Sequence, residues 1–152
     1  KGMVAVTAPD VLGFYHDVAD ASKEYQRKIR TIIRGLTALS RHIEVLNPSR
    51  FGWFAFQVFG HKLMRWAVPW FQVLVLATSF FLVAKGGIYV LALLAQLLFY
   101  GLVFVGHIKP EVRDRKFVSI PYFFVQANLA VAHATIEYLR GRRMTVWNPS
   151  QR

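Results

Sequence analysis

A row of cations between residues 23 and 41 is the feature of this sequence best suited to chemistry. When the stretch is wound as a helix at about 100° per residue, five basic side chains fall within roughly 60° of one another. They are Lys23, Arg27, Arg30, Arg34 and Arg41. Guanidinium groups donate paired hydrogen bonds to phosphate oxygens. The row therefore suits an anionic partner, although a plain solvated helix face remains the alternative.

A stripe of polar side chains in an otherwise apolar segment, residues 117–139, is the second candidate. Its members share one helical face and are Ser119, Gln126, His133 and Glu137. Beside them, alanines at 127, 130 and 134 form a strip of small residues. Polar groups in a membrane helix must meet other helices, a polar cavity or water. The stripe therefore marks either a helix-packing seam or a polar path for substrate.

Catalytic motifs of the usual kinds are absent from the sequence. No carboxylates are paired for acid–base work, and neither a glycine-rich phosphate loop nor a Gly-x-Ser-x-Gly motif is present. The chain has no cysteine, which excludes disulfides and thiolate metal sites. His61 shares a helical face with Arg65 but has no second metal ligand at a suitable spacing, so we expect headgroup contact there. We expect no catalytic residue and no bound metal in these 152 residues.

The cations belong to an amphipathic helix. Apolar residues recur from Ile29 to Leu46 at the spacing of one helical face. Asn47-Pro48 ends the pattern, because proline cannot continue a helix. We expect the apolar face to lie on a bilayer, with the arginines pointing away from lipid.

Two long uncharged runs follow, over residues 66–84 and 88–106. Each is about long enough to cross ~30 Å of hydrocarbon as a helix. Lys85-Gly86-Gly87 forms the short link between them. Because both runs are apolar all round, a transmembrane helical hairpin is favoured over a buried pair of soluble helices.

Aromatic residues are dense just before the first run. Their rings favour the headgroup region of a membrane. We therefore expect Trp53, Trp66 and Trp70 at the membrane interface and a second, short interfacial helix over residues 51–60.

Lysine and arginine predict the orientation of the hairpin. Basic residues crowd both flanks, whereas the link holds a single one, Lys85. By the positive-inside tendency the link faces outward and both flanks face the cytoplasm. If the third segment also spans, the basic tail lies outside, against that tendency. We favour a third segment that lies in the interface or re-enters, with the tail inside.

Composition agrees with a membrane protein. The chain is 55% hydrophobic and has a formal net charge of +11, which favours a lipid bilayer over nucleic acid as its partner. The predicted fold is an all-α membrane protein. Its predicted parts are interfacial helices over 21–60, a hairpin over 61–106, a cytoplasmic loop over 107–116, a third membrane-associated helix over 117–140 and a basic tail over 141–152.

The order of several stretches resembles a known family. They are GMVAVTAPDVLGFYHDV, EYQRKIRTIIRGL, a Leu-Asn-Pro stop, FGHKLMRWAVP, two spans, IPYFFVQANLA and LRGRRMTVW. Over essentially all 152 residues this order is similar to the C-terminal part of membrane-bound family 2 glycosyltransferases, the bacterial polysaccharide synthases related to cellulose and hyaluronan synthases. Processive members have Gln-x-x-Arg-Trp where this chain has QRKIRT, with Thr31 in place of tryptophan. The resemblance therefore does not extend to processivity.

The resemblance implies a parent enzyme in the bacterial inner membrane. It would transfer sugar from a nucleotide-sugar donor to a growing polysaccharide or a lipid-linked acceptor, with secretion or synthase subunits as possible partners. In the family, an upstream α/β domain binds Mg²⁺ or Mn²⁺ at an Asp-x-Asp motif, which this sequence lacks. Residues 1–20, with two short strands, would be the edge of that domain. Arg27, Arg30 and Arg34 would contact the donor diphosphate or the acceptor, or else pair with carboxylates of the upstream domain.

Two other functions remain open. A non-enzymatic membrane subunit could anchor or regulate a partner through its basic face, and the polar stripe suggests a small transport component. Because the chain begins at Lys1, we expect it to be a piece of a longer polypeptide. An upstream domain with Asp-x-Asp would favour the enzyme, and we expect residues 1–152 alone to be inactive.

Overall fold

A computed structural model describes residues 10–11 and 21–144 as a bundle of helices. The α-helices are α1 (Ala21–Arg41), α2 (Pro48–Phe51), α3 (Trp53–Val58), α4 (Arg65–Leu82), α5 (Ile88–Ile108) and α6 (Lys116–Leu139). Short 3₁₀ turns cover Ile43–Leu46, Val83–Lys85 and Pro110–Asp114. No strand occurs in this part of the chain, and the predicted all-α fold is confirmed. Apart from residues 10–11, the segment expected to hold two strands lies outside the described residues, as does the tail from 145 to 152.

Helix α1 has charges placed to suit its dipole. Glu24 lies in the first turn and Arg41 in the last, where each sign is favoured. After the 3₁₀ turn, the Asn47 side chain accepts a hydrogen bond of 2.9 Å from the Ser49 backbone N–H, and Pro48 begins α2. The α-helix thus ends at Arg41, five residues before the predicted stop at Leu46-Asn47-Pro48, and Asn47 separates the 3₁₀ turn from α2.

The short interfacial helix expected over residues 51–60 is not a separate element. Helix α3 runs without a break through a π-helical segment, Phe59–Met64, into α4. One helical stretch consequently extends over Trp53–Lys85. Gly60 is a weak helix former and Pro69 a weaker one, yet the helix continues through both positions. Pro69 therefore lies inside a long helix rather than near its start.

Helices α4 and α5 form the expected hairpin of long apolar helices. Gly86 and Gly87 make the tight link with φ of 71° and 57°, which favours glycine at both positions. Gln96 Nε2 of α5 donates a 3.0 Å hydrogen bond to the buried Ser79 Oγ of α4. The long helix Trp53–Lys85, α5 and α6 are each long and apolar enough to cross a membrane.

The best buried contact joins α1 to α6. Ile29 and Ile33 pack on Ala130 and Ala134, and all four side chains are at most 1% exposed. The expectation that the apolar face of α1 lies on the bilayer is therefore wrong for these two isoleucines. Small residues let the two backbones approach closely, which is why the alanine strip of α6 receives α1.

Helix α6 packs first on α5 and then on α1. It begins beside the end of α5, where a Cβ on Gly106 would lie 2.8 Å from Val118 Cγ1. The rings of Phe99 and Phe124 then meet edge to face, 6.1 Å apart, at the middle of α5. The second half of α6 runs along α1, ending with a 2.7 Å hydrogen bond from Tyr138 Oη to Ser40.

Candidate functional site

A cleft of about 530 Å³ lies where α1, the start of the long membrane helix and α6 meet. We call it the α1–α4–α6 cleft. Fifteen residues line it: Glu24, Arg27, Lys28, Thr31, Ile32 and Gly35 from α1, His61, Lys62, Arg65, Trp66 and Val68 from the π segment and α4, and Phe124, Ala127, Asn128 and Val131 from α6. Its lining thus combines charged and apolar side chains from three separate helical regions.

The charged part of the cleft is predominantly basic. Arg27, Lys28, Lys62 and Arg65 contribute four positive charges, and Glu24 contributes one negative charge, so the formal lining charge is +3 with His61 neutral. Such a concentration of one sign raises the local concentration of anions.

Glu24 is already engaged by Arg27. Arg27 Nε and Nη2 donate hydrogen bonds of 2.6 and 2.8 Å to the two carboxylate oxygens of Glu24. This hydrogen-bonded pair, together with the nearby charge of Lys28, holds the pKa of Glu24 below its usual value. The carboxylate therefore neutralises Arg27 rather than the lysines across the cleft.

The inner wall of the cleft is apolar and comes largely from α6. Phe124 and Val131 lie on it, facing Val68 of α4. Asn128, buried between them, donates a 2.8 Å hydrogen bond to the Phe124 carbonyl, so one of its two amide N–H groups is engaged within its own helix. The wall is thus mainly apolar, with the Asn128 amide as a polar group within it.

A close helix contact closes one side of the cleft. A Cβ added at Gly35 would lie 2.8 Å from Trp66 Cζ2, which is closer than two carbon atoms can pack. Glycine is therefore the residue that fits at this position. The absence of a side chain at Gly35 lets α1 rest on the indole. Trp66 is thus a packing residue of the cleft as well as a candidate interface residue.

The structure separates the arginines that the periodicity grouped together. Arg27 lines the cleft, whereas Arg30 and Arg34 are half-buried and do not line it. Arg41 is exposed at the end of α1. At about 100° per residue, Arg34 points within about 20° of Arg27 but lies about 10 Å further along α1, and Arg30 lies about 60° around the helix from Arg27. Of the four arginines in the row, Arg27 is thus the one that reaches the cleft.

The polar stripe of α6 extends from its first turn, at Ser119, to the second half of the helix, where His133 lies beside α1. His133 is exposed, with Nδ1 3.4 Å from Tyr25 Oη, and Glu137 accepts from Arg142 Nη1 at 2.9 Å. Ser119 and Gln126 are half-buried. None of the four lines the cleft. For His133 the geometry favours a helix-packing seam over a substrate path.

The three tryptophans assigned to the membrane interface differ in exposure. Trp53 is 82% exposed and Trp70 is 42% exposed. Trp66 is half-buried against Gly35. Trp53 and Trp70 are thus available to lipid, while Trp66 belongs to both the interface and the cleft.

Sequence analysis did not assign Lys28, Lys62, Gly35 or Asn128 to a site. The sequence did indicate that His61 and Arg65 share a helical face, and both residues line the cleft. The other side chains come from α1 and α6, whose approach to this face depends on the tertiary packing.

Comparisons with family models, with curated proteins and with solved structures find no match for this chain. Among the residues that the structure describes, no three His, Asp or Glu side chains form a group suited to a metal ion. The chemistry that the cleft offers is therefore cationic and apolar contact.

Proposed function

We propose that this chain is the membrane module of a glycosyltransferase that uses a nucleotide-sugar donor at the cytoplasmic face of a bacterial inner membrane. One observation carries the proposal: Lys62 and Arg65, which line the cation-rich cleft, are the last charged residues before the uncharged run 66–84 of the long apolar helix. An enzyme that joins a charged, water-soluble donor to a polysaccharide or lipid-linked acceptor needs cationic groups at that level. The order of stretches that resembles family 2 synthases agrees with this role.

The proposed module binds and positions substrates rather than performing the chemical step. The described residues offer no carboxylate group suited to Mg²⁺ or Mn²⁺, so we assign the metal and the general base to another part of the parent polypeptide. Arg30 and Arg34, which lie outside the cleft, would face that part and stabilise the charge that develops on the departing diphosphate.

We further propose that α4 and α5 cross the membrane and that α6 lies obliquely at their cytoplasmic end. The second half of α6 packs along α1, whose five aligned cations cannot enter hydrocarbon cheaply. This arrangement keeps the basic residues after Leu139 on the cytoplasmic side, in accord with the positive-inside tendency.

A non-enzymatic subunit is the second candidate, and one observation favours it. The lining of the cleft includes four cations but one carboxylate, which is already paired. A basic surface of this kind could anchor an acidic partner without any reaction. Turnover measurements separate this function from the first.

The test of the enzyme proposal uses the polypeptide encoded by the complete reading frame. Arg30→Ala should lower the rate of sugar transfer by about 10²–10³, as expected for a charge-assisted contact worth roughly 2–4 kcal/mol at the transition state. Arg41→Ala is the matched control: it lies about 16 Å further along α1 at 1.5 Å per residue and should change the rate little. If Arg30→Ala and Arg41→Ala both lowered the transfer rate only slightly, or lowered it equally by releasing the protein from the membrane, the arginine row would be an electrostatic anchor without a role in transfer. An intact polypeptide without any transfer activity would favour the subunit.

Topology is tested by single cysteines, since the chain has none. A membrane-impermeant thiol reagent should label Lys85→Cys from outside the cell, and Lys109→Cys and Arg140→Cys only after permeabilisation. External labelling at position 140 would show that α6 spans. External labelling at position 109 would reverse the hairpin.

A further inference from the structure

We propose that the α1–α4–α6 cleft is a binding site for an anionic phospholipid. The lipid phosphate would lie among Lys28, Lys62 and Arg65, and the start of its hydrocarbon chain would lie against Phe124 and Val131. This inference goes beyond the proposed function, because lipid binding at this cleft requires no sugar transfer.

Charge on the two sides of the cleft indicates an anionic headgroup. Lys28 projects from α1, while Lys62 and Arg65 come from the π segment and the first turn of α4. Within the described residues no carboxylate lies within ion-pair distance of these three cations, and Glu24 is bound to Arg27. Glu24 lines the same cavity and is attracted by Lys28, yet the lining keeps an excess of positive charge that suits a phosphate group, whose oxygens accept hydrogen bonds from several donors.

The apolar wall distinguishes a lipid from a free phosphate. Phe124, Val131 and Val68 line the same cavity as the cations. Asn128 donates one amide N–H to the Phe124 carbonyl and is the one polar residue among those that α6 contributes to the cavity. A small hydrated anion would leave this wall in contact with water, whereas an acyl chain would cover it.

Size and depth agree with such an occupant. About 530 Å³ exceeds the needs of a lone phosphate and falls in the range of ordinary ligand pockets, about 300–1,000 Å³. Arg65 is the last charged residue before the uncharged run 66–84, so in a bilayer the cleft would lie at the end of the apolar part of that helix. Headgroups of the bilayer occupy that depth.

Trp66 provides a reporter within the cleft itself. The 152-residue chain with Trp53→Phe, Trp70→Phe and Trp147→Phe retains Trp66 as its sole tryptophan. This chain is placed in phosphatidylcholine nanodiscs that contain phosphatidylglycerol brominated on its acyl chains. Quenching of the Trp66 fluorescence is measured as the mole fraction of the brominated lipid is raised. Brominated phosphatidylcholine serves as the lipid control, and a chain that retains Trp70 alone serves as the protein control.

Selective binding should give half-maximal quenching of Trp66 at a mole fraction at least fivefold lower for phosphatidylglycerol than for phosphatidylcholine. Trp70 should show no such preference. Lys62→Gln with Arg65→Gln should weaken the preference up to about 25-fold in affinity, because each cation near an anionic headgroup contributes roughly a factor of five. Lys109→Gln with Arg115→Gln removes the same charge outside the cleft and should leave the preference intact. The double variant Lys62→Arg with Arg65→Lys keeps both positive charges and should retain the preference for phosphatidylglycerol.

Three results would each overturn the proposal. The first is equal quenching of Trp66 by the two lipids. This measurement uses no charge variant, so it does not depend on whether the charge variants fold. The second is an equal loss of preference in the Lys109/Arg115 pair, which would indicate general surface attraction. The third is displacement of the brominated lipid by millimolar glycerol 1-phosphate, which would make the cleft a site for soluble phosphate esters.

Discussion

The hairpin of α4 and α5 and the contact between α1 and α6 are both made by helices, yet they use apolar residues in opposite ways. In the hairpin, large side chains such as Phe81 and Leu98 are 79% and 69% exposed, and one buried hydrogen bond, between Gln96 and Ser79, crosses between the helices. In the α1–α6 contact, Ile29 and Ile33 are at most 1% exposed. The first region turns its apolar surface outward, and the second turns it inward.

This contrast is the one expected if lipid surrounds the hairpin while protein surrounds the apolar side chains between α1 and α6. Helices that are apolar all round gain nothing by hiding their side chains from lipid, so their association depends on close packing and polar contacts. Helix α1 has one apolar face and one cationic face, so it can bury the first only against protein or the membrane surface. The alanine strip of α6 supplies protein for two of its isoleucines.

The largest effect is expected where the inward-facing region is most tightly packed. Ile33→Ala should destabilise the α1–α6 contact by about 2–5 kcal/mol, because it leaves a cavity between side chains that are fully buried. The measurement is an unfolding titration with sodium dodecyl sulfate in bicelles, followed by circular dichroism. Ile43→Ala, at a position 67% exposed, is the matched control and should change stability by less than about 0.5 kcal/mol. Similar losses at both positions would mean that α1 is not packed on α6.

Gly35→Ala tests the contact between α1 and the start of α4. The added Cβ would lie 2.8 Å from Trp66 Cζ2, and we expect a loss of about 1–3 kcal/mol in the same titration, with a red-shifted Trp66 emission. Gly101→Ala introduces the same methyl group on α5, where nothing lies within 4 Å. It should be neutral or stabilise the helix by up to about 1 kcal/mol. A stabilised Gly35→Ala chain would show that the indole does not rest on α1.

A smaller effect is expected inside the hairpin. Ser79→Ala removes the acceptor of the Gln96 hydrogen bond and should lower stability by about 0.6 kcal/mol, the usual value for such bonds between membrane helices. Thr78→Ala is the control, because the Thr78 hydroxyl bonds to carbonyls of its own helix. If Ser79→Ala destabilised the chain as much as Ile33→Ala, the hairpin would depend on a polar core rather than on lipid-facing helices.

The smallest effect concerns the pH dependence of α1. Because the pKa of Glu24 is lowered in the folded chain, its pairing with Arg27 stabilises α1 above the ordinary glutamate value of about 4.3 and is lost as the pH falls through the lower folded value. The pair is partly exposed and spaced i, i+3, so it contributes about 0.3–0.5 kcal/mol. Glu24→Gln should reduce the loss of stability measured between pH 6 and 3 without abolishing it, because hydrogen bonds from its own backbone and from His42 lower the pKa of Glu44 as well. Glu111→Gln, at an exposed position outside α1, should leave this loss unchanged.

Local patterns were sufficient to predict most helices but not the cleft. The periodicity around Ile29, the uncharged runs and the Lys85-Gly86-Gly87 link each depend on residues close together in the chain. The segment before the first run was misjudged, because aromatic density and Gly60 suggested a separate helix where the backbone continues through a π segment. The site residues were predicted in part: Arg27 lines the cleft, but Arg30 and Arg34 share its helix face without reaching the cavity.

The sequence by itself determined that the chain is helical, strongly basic and apolar enough to enter a membrane. Those properties are sums or short-range periods of residue types, so no knowledge of the fold is needed to obtain them. The tertiary structure alone decided that Ile29 and Ile33 face Ala130 and Ala134, that Gly35 receives Trp66, and that Lys28 meets Lys62 and Arg65 across one cavity. These pairs are separated by about 30 to 100 positions, and helical periodicity is informative only over a few turns. Which faces meet depends on shape, since small residues such as alanine and glycine admit a neighbouring helix where larger ones would exclude it.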